Sequence, residues 1–367
     1  MDIGTRLQNS NDKTYGGLLS IIMPVFNHRN DVGVMIDSIL ANDFSQWELL
    51  AVDDGSDADT LALLERYAQS DGRIRLVRRD RHPKGAQTCR NIGMEKAVGE
   101  YIVFFDSDDF VTPYCLRQRV EAIAAHTEYD FMVFPSGIYE DGKFLPIAHP
   151  YVFGYPIYKD DVAQFASRQL PFIVWNNIYR TASLRRSGVV WDERLLSLQD
   201  ADFNISAIAG GLRYGYAHGA RPDYGYRIGS AQSVSKNIMG SRHVESHIYA
   251  NAKMYDVVCG FCGKRYRRSL FRGTLNLYNA CMSGNGLNDA FADGLAATLR
   301  HRDPFHWLVL RLQTMATRLL GKVLSAKRAR QLPMTGFLIS RNRQERNKLA
   351  RLSALINNTF PNQQQTK

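Results

Sequence analysis

Four short strand-like runs, three of them apolar and each followed by a polar loop, constrain this chain more than its composition does. They occupy residues 18–25 (LLSIIMPV), 47–52, 73–77 and 101–105 (YIVFF). Each has the length and boundaries of a strand, and the first reads as a buried one. Between them the apolar residues take helical spacing. Val32, Met35, Ile36, Ile39 and Leu40 fall at i, i+3, i+4, i+7 and i+8, Leu61, Leu64 and Ala68 share a face, and residues 85–98 form a third helical stretch. Asp31 is expected to cap the first helix, and Ser56 or Asp57 the second. Strands alternating with helices predict an α/β fold with a mainly parallel sheet, flanking helices and right-handed crossovers. Beyond Tyr129 the pattern is mixed: strands are expected at 131–134, 175–179 and 224–228, helices from Thr181 and at 200–209. Helical patterns dominate after His243.

The second and fourth strands run into acidic clusters, Asp53-Asp54-Gly55-Ser56 and Asp106-Ser107-Asp108-Asp109. In open α/β sheets the ligand crevice lies outside the carboxyl ends of the strands, so both clusters stand where a ligand would bind. Three carboxylates directly after an apolar strand repel one another, and a hard divalent cation such as Mg²⁺ or Mn²⁺ relieves that repulsion. A solvated turn in which Asp109 caps a helix is the plainer alternative. Asp53 or Asp54 can accept from a base N–H or a ribose hydroxyl, or can serve only the turn that Gly55 permits.

Charge divides the 367 residues unevenly. The formal net charge is +10, yet residues 301–367 hold 13 Lys and Arg against Asp303 and Glu345, leaving the first 300 residues close to neutral. A basic tail points to an anionic partner. Trp307, Leu308, Leu310, Leu312, Met315, Leu319, Leu320, Val323 and Leu324 interleave there with Arg311, Arg318, Lys322, Lys327 and Arg328. This pattern suits a basic amphipathic helix on an anionic membrane surface, or a helix packed on the body with a solvated basic face. No recognised nucleic-acid motif accompanies the charge, and no nucleic-acid partner is expected. The five cysteines are odd in number and scattered, unlike a disulfide framework. Cys259 and Cys262 read as two thiols on a helix. Residues 1–17 are polar without an apolar core, and no run of about 20 apolar residues occurs. A cytoplasmic protein is expected, with a tail able to bring it to the inner face of the cell membrane.

Taken in order, SIIMPVFN, LLAVDDGSDADT, KGAQTCRNIGMEKAVGEYIVFFDSDDFVTP and WNNIYR resemble the family 2 glycosyltransferases of the GT-A fold, over about residues 18–235. The resemblance implies a nucleotide-binding half at 18–125 and an acceptor half at 126–235, with a helical basic region at 236–367. It implies an inverting, metal-dependent enzyme that takes a sugar from a nucleotide-sugar donor, with uridine the leading base, to a saccharide or lipid-linked acceptor. Asp54 and Asp53 would meet the nucleotide base, Pro24 would belong to the donor site, and Arg90 would hold the donor. Asp106 would approach the ribose or sugar, Asp108 would ligate Mn²⁺ or Mg²⁺, and Asp109 would assist the metal or the sugar. Leu198-Gln199-Asp200-Ala201-Asp202-Phe203 resembles the segment carrying the general base, which assigns that role to Asp200. Asp202 competes for it, and Gln199 replaces the family's usual Glu. Arg227, with Tyr226, Ser230 and Ser233, resembles a loop near the donor diphosphate. Two rivals are a sugar nucleotidyltransferase, disfavoured by the glycine-free loop after the first strand, and a non-catalytic binding module of the same fold.

Overall fold

The computed structural model describes residues 17–146, 151–228, 241–280, 282–283, 286–321, 342–344 and 346–354. The chain alternates as expected: β1 (Leu19–Val25), α1 (Arg29–Leu40), β2 (Trp47–Asp53), α2 (Ala58–Ser70), β3 (Ile74–Arg78), α3 (Ala86–Lys96) and β4 (Tyr101–Phe104). It continues through β5 (Phe110–Val111), α4 (Cys115–Ala125), β6 (Phe131–Val133), β7 (Ser136–Glu140), β8 (Lys143–Leu145) and α5 (Asp161–Ala166). Then come β9 (Asn177–Arg180), α6 (Thr181–Ser187), α7 (Gln199–Ala209), β10 (Tyr214–Tyr216) and β11 (Tyr224–Arg227). Four further helices follow: α8 (Ser241–Cys262), α9 (Arg267–Ala280), α10 (Asp289–Leu299) and α11 (Pro304–Gly321).

The main sheet has the order β10-β6-β9-β4-β1-β2-β3. β1 pairs in parallel with both β2 and β4, and β2 with β3, so the carboxyl ends of the first strands share one edge. The sheet is mixed, because β9 runs antiparallel to β4 and to β6. Its expected beginning at residue 175 is a 3₁₀ turn, Val174–Asn176, whose Asn176 side chain bonds Ile173 N and Phe134 O. β5, β11, β7 and β8 form a second sheet. β11 brings its residues beside the acidic segment after β4 by pairing with β5.

Two local details differ from the sequence expectation. Asn27 and His28 both take the left-handed conformation, with φ of 59° and 62°, so the chain turns sharply after β1 and α1 begins with His28 as its N-cap. Asp31 therefore lies inside the first turn and is not the cap. Asp109 caps no helix either, since α4 starts after Tyr114 and the Asp109 oxygens bond to β11. Asp57 does cap α2, accepting from Thr60 N at 2.8 Å.

α3 packs very closely on the sheet. A methyl group at Gly93 would collide with the Ile22 side chain, so only glycine allows this approach, and it sets the position of Arg90 and Asn91 one turn earlier. On the same side of the sheet, Phe104, Trp191 and Phe203 share one hydrophobic core with Tyr255 of α8, Leu270 of α9 and Leu299 of α10. The opposite face packs Ile21, Met23 and Leu49 against Val32, Met35 and Ile36 of α1. Cys259 and Cys262 lie on α8 as free, half-buried thiols.

Candidate active site

The loops after β1, β2 and β4 meet above the sheet edge. Asn27 ties the first two together, donating from its N–H to Ser56 Oγ and accepting from Asp57 N, both at 2.9 Å. Pro24 is buried within β1, level with Val52. Asp53 closes its own turn, accepting from Gly55 N at 3.1 Å and Ser56 N at 3.0 Å, while Gly55 supplies a φ of 84°. Asp54 pairs with Arg79 at 2.6 Å and accepts from Gly85 N at 3.3 Å. Both carboxylates are thus buried and engaged by the protein. A cleft of about 350 Å³, lined by His28, Arg29, Asn30, Asp31, Asp57 and Asp59, opens beside them.

The acidic cluster after β4 is held from two sides. From α3, Arg90 Nη2 donates to Asp106 Oδ1 at 2.6 Å, and its guanidinium lies 4.5 Å from the centre of the Trp191 ring. From β11, Tyr224 OH accepts from Asp106 N at 3.0 Å and donates to Asp109 Oδ2 at 2.6 Å. Arg227 N donates to Asp109 Oδ1 at 2.7 Å, and Arg227 Nε to Asp108 O at 2.6 Å. Asp109 is 1% exposed. Burial and the charges of Asp108 and Asp106 push its carboxyl well above the ordinary range. Asp108 is pushed up too, by burial first and then by Asp106 and Asp31. Arg227 also approaches Asp31 at 3.4 Å, which joins the cluster to the cleft.

Asp200 stands in the first turn of α7, after Leu198 in the left-handed conformation. Burial raises its pKa to about 6; the charge of Arg90 lowers it and that of Asp106 raises it. Gln199 accepts from Arg90 Nη1 at 3.3 Å. The fold thus brings Asp200, Arg90 and Asp106 into one electrostatic unit, although about 100 sequence positions separate Asp200 from the other two. Asp202 faces elsewhere, in a buried ion pair with Lys253 at 2.7 Å, and Lys253 also holds Asp192 at 2.9 Å.

A carboxyl titrating near neutrality beside a fixed Arg–Asp pair can take a proton from a bound hydroxyl. Residues 20–191 match glycosyl transferase family 2. That segment belongs to this family. EpsJ of Bacillus subtilis, an uncharacterized glycosyltransferase, is 26% identical over 74% of this chain and 80% of its own. WfgD of Escherichia coli, a UDP-Glc:alpha-D-GlcNAc-diphosphoundecaprenol beta-1,3-glucosyltransferase, is 39% identical over 25% of this chain and 35% of its own. TarS of Staphylococcus aureus, a poly(ribitol-phosphate) beta-N-acetylglucosaminyltransferase, is 25% identical over 51% of this chain, which spans 32% of TarS. The crystal structure of TarS 1–349 in complex with UDP-GlcNAc superposes with a TM-score of 0.63 at 16% identity, over 89% of this chain and 92% of that one. The fold is therefore of the GT-A type.

Among the described residues, no group of three or more His, Cys, Asp or Glu side chains is arranged to hold a metal ion. Both Asp109 oxygens are taken by β11, which leaves Asp108 and the second oxygen of Asp106. Mg²⁺ commonly takes one or two carboxylates and draws its other ligands from substrate phosphates and water, so this smaller donor set fits such an ion. Ser230 and Ser233 lie outside the described residues.

Sequence reasoning missed Tyr224 and Arg79 as parts of this site, and Lys253 as the partner that draws Asp202 out of it. Tyr224 stood inside an expected strand, and only the pairing of β11 with β5 reveals its hydroxyl as the bridge between Asp106 and Asp109. Tyr224→Phe is expected to cost about 1–3 kcal/mol, because the buried carboxyl and N–H lose their partner. Urea unfolding of the two proteins measures this, and equal midpoints would remove the bridge from the account.

Proposed function

We propose that this chain is an inverting transferase that moves a sugar from a nucleoside-diphosphate sugar, most simply a UDP-sugar, to a hydroxyl of a saccharide or lipid-linked acceptor in surface polysaccharide synthesis. The observation that carries the reading is Asp200, with a pKa near 6, beside the Arg90–Asp106 pair. Asp200 accepts the proton of the attacking hydroxyl, which then displaces the nucleoside diphosphate from the anomeric carbon in one step. Arg90 and Arg227 stand on either side of the acidic cluster, where cations can pair with diphosphate oxygens. Asp54 and Asp53 shape the loop that receives the base and ribose. TarS, which acts on poly(ribitol-phosphate), and WfgD, which acts on alpha-D-GlcNAc-diphosphoundecaprenol, support the acceptor class.

Asp108, with Asp106, would hold a Mg²⁺ or Mn²⁺ ion, which when bound neutralises charge on a departing diphosphate. Asp108→Asn is expected to raise the metal concentration needed for half activity by at least about 10–100-fold, the loss typical even of groups that only support a ligand. Turnover that continues undiminished in excess chelator would remove the metal from the mechanism. A panel of nucleotide sugars, read by release of nucleoside diphosphate with and without saccharide acceptors, tests the reaction itself. No release from any donor, by a folded protein, overturns the reading.

A further inference from the structure

α11 turns several polar side chains inward and a row of large apolar ones outward. The side turned to the protein holds the fully buried Leu310 together with Gln313, Thr314 and Thr317, only 2–7% exposed. Their polar atoms are satisfied locally: Thr314 Oγ1 donates to Leu310 O at 2.8 Å, and Thr317 Oγ1 to Gln313 O at 2.9 Å. The opposite side holds Phe305, Leu308, Leu312, Met315 and Leu319, which are 51–70% exposed. Steps of three and four residues put these five side chains on one stripe, about 21 Å long at 1.5 Å per residue. An exposed apolar patch of this kind marks an interaction surface.

Charge indicates what the stripe meets. Arg311 pairs with Asp293 at 3.0 Å, and Arg318 with Asp289 at 2.8 Å and Asp293 at 3.0 Å, so α10 fixes the helix and its carboxylates are neutralised. In the sequence, Lys322, Lys327, Arg328 and Arg330 follow within nine positions that contain no Asp or Glu. A second copy of the chain seated on the stripe would bring two such cationic segments together. An anionic lipid surface attracts them, and its interface also accepts the apolar stripe. Among the described residues no helix is long and apolar enough to cross a membrane.

We propose that α11 is an interfacial helix that docks this chain on anionic lipid, with Phe305, Leu308, Leu312, Met315 and Leu319 seated among the lipids. The inference concerns where the chain works and does not rest on the reaction proposed above. The test is co-sedimentation of the full chain with phosphatidylglycerol vesicles and with phosphatidylcholine vesicles, at low and high salt. Binding is expected to the first, weakened by salt as each cation's roughly fivefold contribution is screened.

A triple variant, Leu308→Ser, Leu312→Ser and Met315→Ser, is expected to lower the partition coefficient at least about tenfold. Its melting temperature should stay that of the parent, because these side chains are already exposed. Val190→Ser, an exposed apolar residue remote in sequence, should change nothing. Wild-type vesicle binding by the triple variant overturns the proposal. So does a full chain that ignores both vesicles, whether it is a monomer or a dimer that the triple variant dissociates; the dimer would make a second copy the occupant.

Discussion

Asp200→Asn is expected to lower sugar transfer by about 10²–10⁴-fold while leaving donor affinity unchanged, because a general base acts on the acceptor and not on the donor. The wild-type rate should rise with pH through about 6, where the carboxyl becomes ionised and able to accept a proton. The sign for stability is the opposite of that for activity. The folded pKa lies above the unfolded one, so ionisation of Asp200 opposes folding as pH climbs from the unfolded value past the folded one. The Asn variant should therefore melt at the same temperature as the parent, or higher, at about pH 8. A destabilised variant would give low activity for a trivial reason, and the melting curve separates the two cases. Asp202 offers the sharpest contrast. Its ion pair with Lys253 commits it to the packing of α7 on α8, so Asp202→Asn should lose stability before chemistry. Inactive Asp202→Asn beside a fully active Asp200→Asn would transfer the role to Asp202.

What could be read from the sequence was what one local signal determines. The apolar runs of β1, β2 and β4 are buried throughout, and an unbroken apolar run says so without help from the rest of the chain. The acidic clusters after β2 and β4 were legible for the same reason, since the carboxyl end of a parallel strand is a recognisable place. The work each carboxylate does was not legible. Asp109 looked like a free ligand or a cap, but its environment is made by Tyr224 and Arg227, more than 100 positions later. Asp31 looked like a cap because nothing in Asn27-His28 announces two consecutive left-handed residues. β5 is two residues long and exists as a strand only because β11 lies beside it. The outward apolar row of α11 was hidden as well. Its composition revealed a basic apolar helix, but which side turned inward depended on α10. The part of the proposed basic helix beyond Gly321, including Val323, Leu324, Lys327 and Arg328, lies outside the described residues.

Asp223→Asn is expected to destabilise the fold by about 3–5 kcal/mol, the cost of leaving a buried charge without its partner. Arg119 and Asp223 are both fully buried. They pair through two bonds, Nε to Oδ2 at 2.9 Å and Nη2 to Oδ1 at 2.6 Å, while Arg119 Nη1 donates to Trp175 O at 2.8 Å. Asp223 immediately precedes β11, so this pair anchors the strand that delivers Tyr224 and Arg227 to the acidic cluster. Arg119→Met should cost a similar amount by stranding Asp223. The double variant Arg119→Met, Asp223→Leu should recover much of the loss, since a buried ion pair is often replaceable by apolar groups of similar volume. Denaturant unfolding of the four proteins closes the cycle. Activity should follow a different order: even the stable double variant is expected to transfer poorly, because β11 has lost the bond that sets its position relative to Asp106 and Asp109. A double variant with both stability and full activity would mean that strand pairing alone positions Tyr224, and single variants that each lose less than about 1 kcal/mol would contradict the burial of the pair.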